Sequence, residues 1–429
     1  MTRREALRLG AVGAVGAAAA VTATRLWREG PAGGGARPSL LSPPEDALFS
    51  QALLHEARLA MDPGDWRRLQ EDPDSNRYYP ADLSVDGEVV RNLAVRSRGD
   101  GSRLKKKPAL RLDFNRVLKG QQFHGLSALV LENLVQDETS LRERLAFSVF
   151  EAAGFPTPRD AFARVTVNDE YRGLYALVEP VDKAFLRSRF GEAGGNLFEY
   201  KYDKNADTPY DLGWRGDDPR AYVPNPFQPK THESRPDGAG LVALIRTINQ
   251  APDASFDRAL SAYLDTGSLI EYLAVENALA DSDPIGSASG RYNFYLYQYE
   301  GSTRFVLIPW DKDMTLQMAT WPLFDSLGGT VLTRRLIADP RLRGRYVAAV
   351  SRIVESFVND RWLGPRMEES YRQIREANLA DTHKPYSNVH FELNVGALRL
   401  TIARRGQELA AAMAAARARD AAPPLGGRP

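Results

Sequence analysis

The spacing of apolar residues changes character near residue 180, and no other feature limits the fold as much. Before that point apolar and polar residues alternate in short runs, as in Tyr79 to Val95 and Pro108 to Phe114; beyond it they recur every three or four residues. A period of two belongs to half-buried strands and a period near 3.6 to amphipathic helices. The chain is therefore expected to be α+β, with a small β-rich lobe ahead of a larger helical lobe. The cleft between two such lobes is the default place for a ligand.

Turn chemistry sharpens the first half. Asp86-Gly87 and Asn168-Asp169 each sit between alternating runs and predict two hairpins. One helix interrupts them over 140–153, with Leu141, Leu145 and Val149 on one face and Gly154 as its stop. In the second half helices are predicted over 182–191, 238–250, 254–263, 266–280, 339–358, 360–378 and 388–416. A single hairpin stands among them, Asn293 to Tyr297 and Arg304 to Ile308, turning at Glu300-Gly301 and running on into Pro309-Trp310-Asp311-Lys312-Asp313.

The ends read differently. Arg3-Arg4 precedes a Gly/Ala/Val stretch reaching about Ala23, which resembles a Tat-type export signal. Residues 1–24 are assigned to that signal or to an uncleaved N-terminal anchor, the chain's only expected tie to a membrane. Residues 25–45 form a Gly/Pro-rich linker, 46–180 the first lobe, 181–415 the second, and 416–429 a disordered tail.

Composition excludes several functions. The 56 Lys and Arg nearly balance the 55 Asp and Glu, and without residues 1–24 the net charge moves from +1 to −1. A near-neutral chain has no bulk electrostatic claim on nucleic acid. No cysteine is present, which removes disulfides, thiolate zinc sites and a cysteine nucleophile. The five histidines lack metal or triad spacing, and neither G-x-S-x-G nor a P-loop occurs.

Three acidic or basic constellations remain. Asp311 and Asp313 are two apart, so on an extended segment they face the same side. At roughly 6–7 Å and an effective dielectric near 20 they repel by about 2–3 kcal/mol. A cation relieves that, and oxygen ligands at a strand end suit Mg²⁺; the plainer alternative is a solvated turn with Lys312 at hand. Asp281 and Asp283 end a helix about ten residues before Asn293. A loop carboxylate followed by an Asn serves protein kinases as proton acceptor and second metal ligand, although an Asp before Pro284 is more often a turn residue. Lys105-Lys106-Lys107 with Glu143 matches the kinase pairing of a phosphate-binding lysine with a helix carboxylate. Ser140-Leu141-Arg142-Glu143 also fits a capping box, and taken alone that pattern favours capping for Glu143.

Collinear motifs join these pieces. They are Val95-Arg96-Ser97-Arg98-Gly99-Asp100-Gly101-Ser102, Leu129-Val130-Leu131-Glu132-Asn133, Gly154-Phe155-Pro156-Thr157-Pro158, Gly173 to Asp182, Asn293-Phe294-Tyr295-Leu296-Tyr297 and Ile308 to Asp313. In this order, over roughly 46–410, they resemble the CotH (spore coat protein H) kinase family of atypical protein kinases. The resemblance implies a bilobal protein-kinase-like fold that binds ATP with Mg²⁺, or Mn²⁺ in its place. It also implies transfer of the γ-phosphoryl group to Ser or Thr of an envelope or secreted protein. Asp311 falls on the metal-binding Asp with Asp313 as helper, and Asn293 on the metal-binding Asn. Asp283 is nearest the catalytic Asp, with Asp281 as the alternative. Lys107, or Lys106, looks like the phosphate-binding Lys, Glu143 like its partner, Arg98 like a further nucleotide contact, and Glu179 like the residue that meets adenine. The competing expectation is a pseudokinase or structural coat-like protein that binds a partner without transferring phosphate.

Overall fold

A computed structural model describes residues 40–41, 46–99, 101–202, 209–290 and 292–421. The export-signal reading, most of the linker, Asp100 and the last eight residues lie outside the described residues. Among the described residues no helix is long and apolar enough to cross a membrane.

The α+β expectation holds. Seven strands form the first half: β1 (Leu54–Met61), β2 (Tyr79–Val85), β3 (Glu88–Ser97), β4 (Leu110–Asp113), β5 (Ala128–Glu132), β6 (Asp160–Val167) and β7 (Glu170–Val178). Both expected hairpins are present. Asp86 and Gly87 have φ of 49° and 91°, and Asn168 and Asp169 have φ of 49° and 63°. Those left-handed pairs match the twist of the flanking strands.

The sheet does more than alternation alone announces. In the order β1-β2-β3-β4-β5-β7-β6 it closes into a barrel, because β6 pairs with β1 in parallel from Leu54 opposite Phe162 to Leu59 opposite Val167. Closure leaves no exposed strand edge. Period-two alternation then sorts side chains to two cores. Leu83, Val95, Leu112, Leu129, Leu131 and Leu177 fill the barrel, while Val130, Phe162, Leu174 and Val178 point outward into a second, larger core.

That larger core includes α2 (Arg142–Ala152); the barrel's other helix, α1 (Pro63–Glu71), packs Trp66 and Leu69 into the first. The second half adds α3 (Lys183–Phe190), β8 (Asn196–Tyr200), β9 (Phe227–Pro229), α4 (Ala239–Gln250), α5 (Phe256–Leu260), α6 (Thr266–Ala278), β10 (Phe294–Gln298), β11 (Phe305–Pro309), α7 (Val331–Ala338), α8 (Pro340–Ser356), α9 (Leu363–Ala380) and α10 (Asn388–Ala421). Strands β11-β10-β8-β9 form an antiparallel sheet. From Leu269 to Ala278 every residue of α6 is buried, as befits a helix that is apolar on all sides. It delivers Asp281 to the centre of the molecule.

Two local expectations are corrected here. Ser140 and Glu143 do not form a capping box. Ser140 takes φ of 57° and its hydroxyl accepts from Asn378 Nδ2 and pairs with the Tyr386 hydroxyl. Asp137 caps α2 instead, accepting from the backbone N–H of Leu141 and Arg142 at 2.7 and 2.8 Å. Lys312 is no solvated turn residue either: its side chain is fully buried.

Candidate active site

The late hairpin sets the geometry. Pairing of β10 with β11 brings Phe294 opposite Pro309, so the next residues, Asn293 and Trp310, also meet. Trp310 donates its N–H to the Asn293 carbonyl at 3.4 Å, and Asn293 Nδ2 donates to the Asp311 carbonyl at 2.8 Å. On the other side the Asn293 N–H donates to the Asp283 carbonyl at 3.3 Å. Three expected site residues are thereby stitched together through the backbone. Asp311 itself has φ of 53°, a left-handed conformation that short polar side chains tolerate best. The bend buries Lys312 while Asp311 and Asp313 line a pocket.

Across that pocket stand Glu132 at the end of β5, Asp137 and Glu143 from the start of α2, and Ser102 and Asn133. Asn133 anchors the basic loop, with Nδ2 donating to the carbonyls of Ser102 and Lys107 at 2.8 and 2.7 Å. The five carboxylates are not alike. Asp137 is saturated by α2 and by Arg142 Nη1 at 2.6 Å. Glu132 is paired with Arg98, whose guanidinium lies 5.4 Å from the centre of the Trp310 ring. Among the described residues, the side chains of Asp311, Asp313 and Glu143 have no hydrogen-bond or ion-pair partner.

Their electrostatics follow. Burial pushes the Glu143 carboxyl well above the usual range, and Asp311 and Glu132 push it further. Asp313 is likewise raised well above its ordinary value by burial, then by Asp311, Glu143, Asp137 and Glu132. Burial raises Asp311 too, against the opposing pull of Arg98 and Lys201. Arg98 stays charged because Glu132 and Asp311 outweigh its burial.

A second cationic group acts on Asp311 through the charge of Lys201. Glu199 on β8 binds Lys201 Nζ at 2.8 Å and Lys230 Nζ at 2.5 Å. Burial would raise its pKa, but the two lysines bring it down to about 2.

Several expected contacts are not formed. Lys107 does not meet Glu143: its Nζ binds Asp381 Oδ2 at 2.6 Å, 5.0 Å from the centre of the Tyr175 ring, with both charges sealed from solvent. Lys106 is exposed. Glu179 is 1 % exposed, with one carboxylate oxygen bound to Arg159 Nη2 and the other to Arg189 Nη2, each at 2.8 Å. Its carboxylate is structural. Asp283 and Asn293 do not line the pocket but border it through the backbone links above. Asp281 is 1 % exposed and committed to Lys312.

Four residues that matter here escaped the sequence reading. Asp381 lies far along the chain from Lys107, so no local spacing reveals it, and Lys201 pairs with Glu199 two residues away without a motif that marks it. Asp137 was masked by the more familiar Ser140 pattern. Lys312 carried a faint signal, a lone cation between two acids directly after an apolar strand.

A model of the family described as CotH kinase protein matches residues 95–409. The chain belongs to the CotH family. Inner spore coat protein H of Bacillus subtilis (strain 168) is 24% identical over 369 residues, covering 84% of this chain and 98% of that protein. The inner spore coat protein H-like protein of the same organism is 26% identical over 254 residues, 58% of this chain and 69% of that one. The CotH match spans both sides of the carboxylate pocket, from Arg98 to Asp313.

Proposed function

We propose that this CotH chain is an exported, envelope- or coat-associated protein kinase that transfers the ATP γ-phosphoryl group to Ser or Thr of a protein. One observation carries the reading: three unpartnered carboxylates, Asp311, Asp313 and Glu143, all raised in pKa by burial and the last two further by Asp311, sit beside an Asn fastened to Asp311. Such a group demands a cation. Its donors are all oxygens, which suits Mg²⁺ or Mn²⁺. Among the described residues no three His, Cys, Asp or Glu side chains are grouped closely enough to hold a metal ion by themselves. That agrees with an ion that takes one or two carboxylates and fills its remaining positions with phosphate and water.

In this reading Asp311 and Asp313 would hold the ion from within the pocket, and Asn293, which borders it, would add its amide oxygen. When bound, it neutralises charge on the β- and γ-phosphates. Arg98, paired with the pocket residue Glu132, and Lys201, whose charge draws the Asp311 pKa down, take the phosphate-neutralising role first expected of Lys107. Asp283 orients the acceptor hydroxyl and holds its proton, since Asp281 is consumed by Lys312. Positioning and preorganised charge supply most of the rate in such chemistry.

The sealing of Lys107 and Glu179 favours a second reading, a scaffold that keeps the fold and binds a coat partner without phosphoryl transfer. Intact mass after incubation with Mg²⁺-ATP separates the two. Addition of phosphate by the wild type, and its loss by a factor of about 10³ in Asp311→Ala, supports the kinase. Equal labelling by both removes Asp311 from the reaction, and no labelling or nucleotide binding by the wild type favours the scaffold.

A further inference from the structure

Lys312 lies between two of the acids that line the pocket yet points away from it, into a site built for one ammonium group. Its Nζ binds Asp281 Oδ2 at 2.7 Å and Glu276 Oε1 at 3.0 Å, and all three side chains are at most 1 % exposed. The rings of Phe150 and Tyr272 stand 5.7 and 5.9 Å away. Each carboxylate has its second oxygen in use. Asp281 Oδ1 accepts the N–H of Asp283 at 2.9 Å, and Glu276 Oε2 accepts the N–H of Ile285 at 3.2 Å. The two amides flank Pro284, which has none. One charge on the Asp311–Asp313 segment thus grips the Asp283 loop at two points through two carboxylates. The Ser282 N–H adds a direct tie, donating to the Met314 carbonyl at 3.1 Å.

A buried ionic triad is a poor source of stability, because desolvation of three charges offsets their attraction and an apolar set of equal volume does as well. What it supplies is a fixed relation between the parts it joins. We propose that Lys312 is a positioning residue that locks the Asp283 loop to the Asp311–Asp313 segment, so that metal held by one segment orders the other. The inference rests on the kinase reading for its catalytic consequence but not for the coupling itself.

The decisive variant is Lys312→Met combined with Asp281→Asn and Glu276→Gln. The new amides keep oxygens for the Asp283 and Ile285 N–H groups, so the loop contacts survive while the ionic link is gone, although the buried NH₂ groups then face only the weakly accepting thioether. Mn²⁺ alone is the probe, read by hydrogen exchange at the Asp283 and Ile285 amides. In the wild type Mn²⁺ is expected to slow exchange at both. The triple variant is expected to bind Mn²⁺ within about threefold of wild type without that slowing, and to lose about 100-fold in kcat with little change in KM for ATP. A merely structural triad would not divide kcat from KM in this way. Should the triple variant fail to fold, Asp281→Asn alone serves, because Lys312 and the Asp283 N–H use different oxygens of Asp281 and the amide keeps an acceptor at only one of those two positions; a loss of about tenfold in kcat is expected. Exchange unaffected by Mn²⁺ in the wild type, or unchanged coupling and kcat in a folded variant, overturns the lock. Mn²⁺-dependent protection in a wild type that transfers no phosphate leaves the lock standing and removes the kinase.

Discussion

Two buried charged corners of the molecule, one around Lys107 and one around Asp311, differ in a single respect. At Lys107 every charge is answered. Asp381 takes the ammonium on Oδ2, which also accepts the Leu174 N–H, while Oδ1 accepts the N–H groups of His383 and Lys384. Gly173 approaches the same carboxylate so closely that a Cβ there would lie 2.1 Å from Oδ2. At Asp311 three carboxylates share one pocket and none has a partner among the described residues. Buried charge that is paired belongs to the architecture, whereas buried charge left unpaired marks where a ligand belongs. Residue type and spacing alone do not distinguish the two corners.

The sharpest way to break the contrast is to unpair the satisfied corner. Asp381→Ala leaves a buried ammonium without its counter-charge, which should cost about 3–5 kcal/mol. For a chain of this size that lowers Tm by roughly 3–6 °C. Lys107→Met with Asp381→Leu should recover most of the loss, as thermal denaturation would show. If Asp381→Ala instead left Tm unchanged and abolished nucleotide binding, Lys107 would belong to the site after all.

The unsatisfied corner should respond to a cation and to pH. Glu143 and Asp313 titrate higher in the folded chain than their ordinary 4.5 and 3.8. The folded state therefore binds more protons across that interval, and stability should fall as pH rises through it. A divalent ion offsets the burial and the mutual repulsion that together cause the fall. Mn²⁺ at a hundredfold excess over its Kd adds about 2.7 kcal/mol, or roughly 3 °C. The gain should be larger at pH 8 than at pH 5 and should vanish in Asp311→Ala. A gain independent of pH would place the ion away from these carboxylates.

The smallest effect is expected at Lys106, whose side chain is exposed beside the buried Lys107. Lys106→Ala should change stability by no more than about 0.5 kcal/mol, with phosphotransfer unaffected. A large loss of activity would restore the basic loop to the nucleotide site.

Much of this was legible in the sequence where chemistry is local. The hairpin turns at Asp86-Gly87 and Asn168-Asp169 declare themselves through residues that accept positive φ. The juxtaposition of Asn293 with Asp311 follows from one hairpin register. Barrel closure was not legible, because it depends on β1 meeting β6 in parallel across most of the lobe. Nor were the partners of Lys107 and Glu179, which come from α9's far end and from Arg159 and Arg189. The Lys105–Lys107 run and Glu143 have the residue types of a kinase ion pair, but which cation meets which carboxylate is decided by long-range packing, and here Arg98 meets Glu132.

The most direct test is anomalous diffraction from crystals grown with Mn²⁺ and a non-hydrolysable ATP analogue. The expected result is a manganese peak at coordination distance from an Asp311 carboxylate oxygen, about 2.0–2.3 Å, with the phosphates between it and Arg98. Nucleotide bound elsewhere, or a pocket without metal at saturating Mn²⁺, would contradict the assignment of these carboxylates to a metal–triphosphate site.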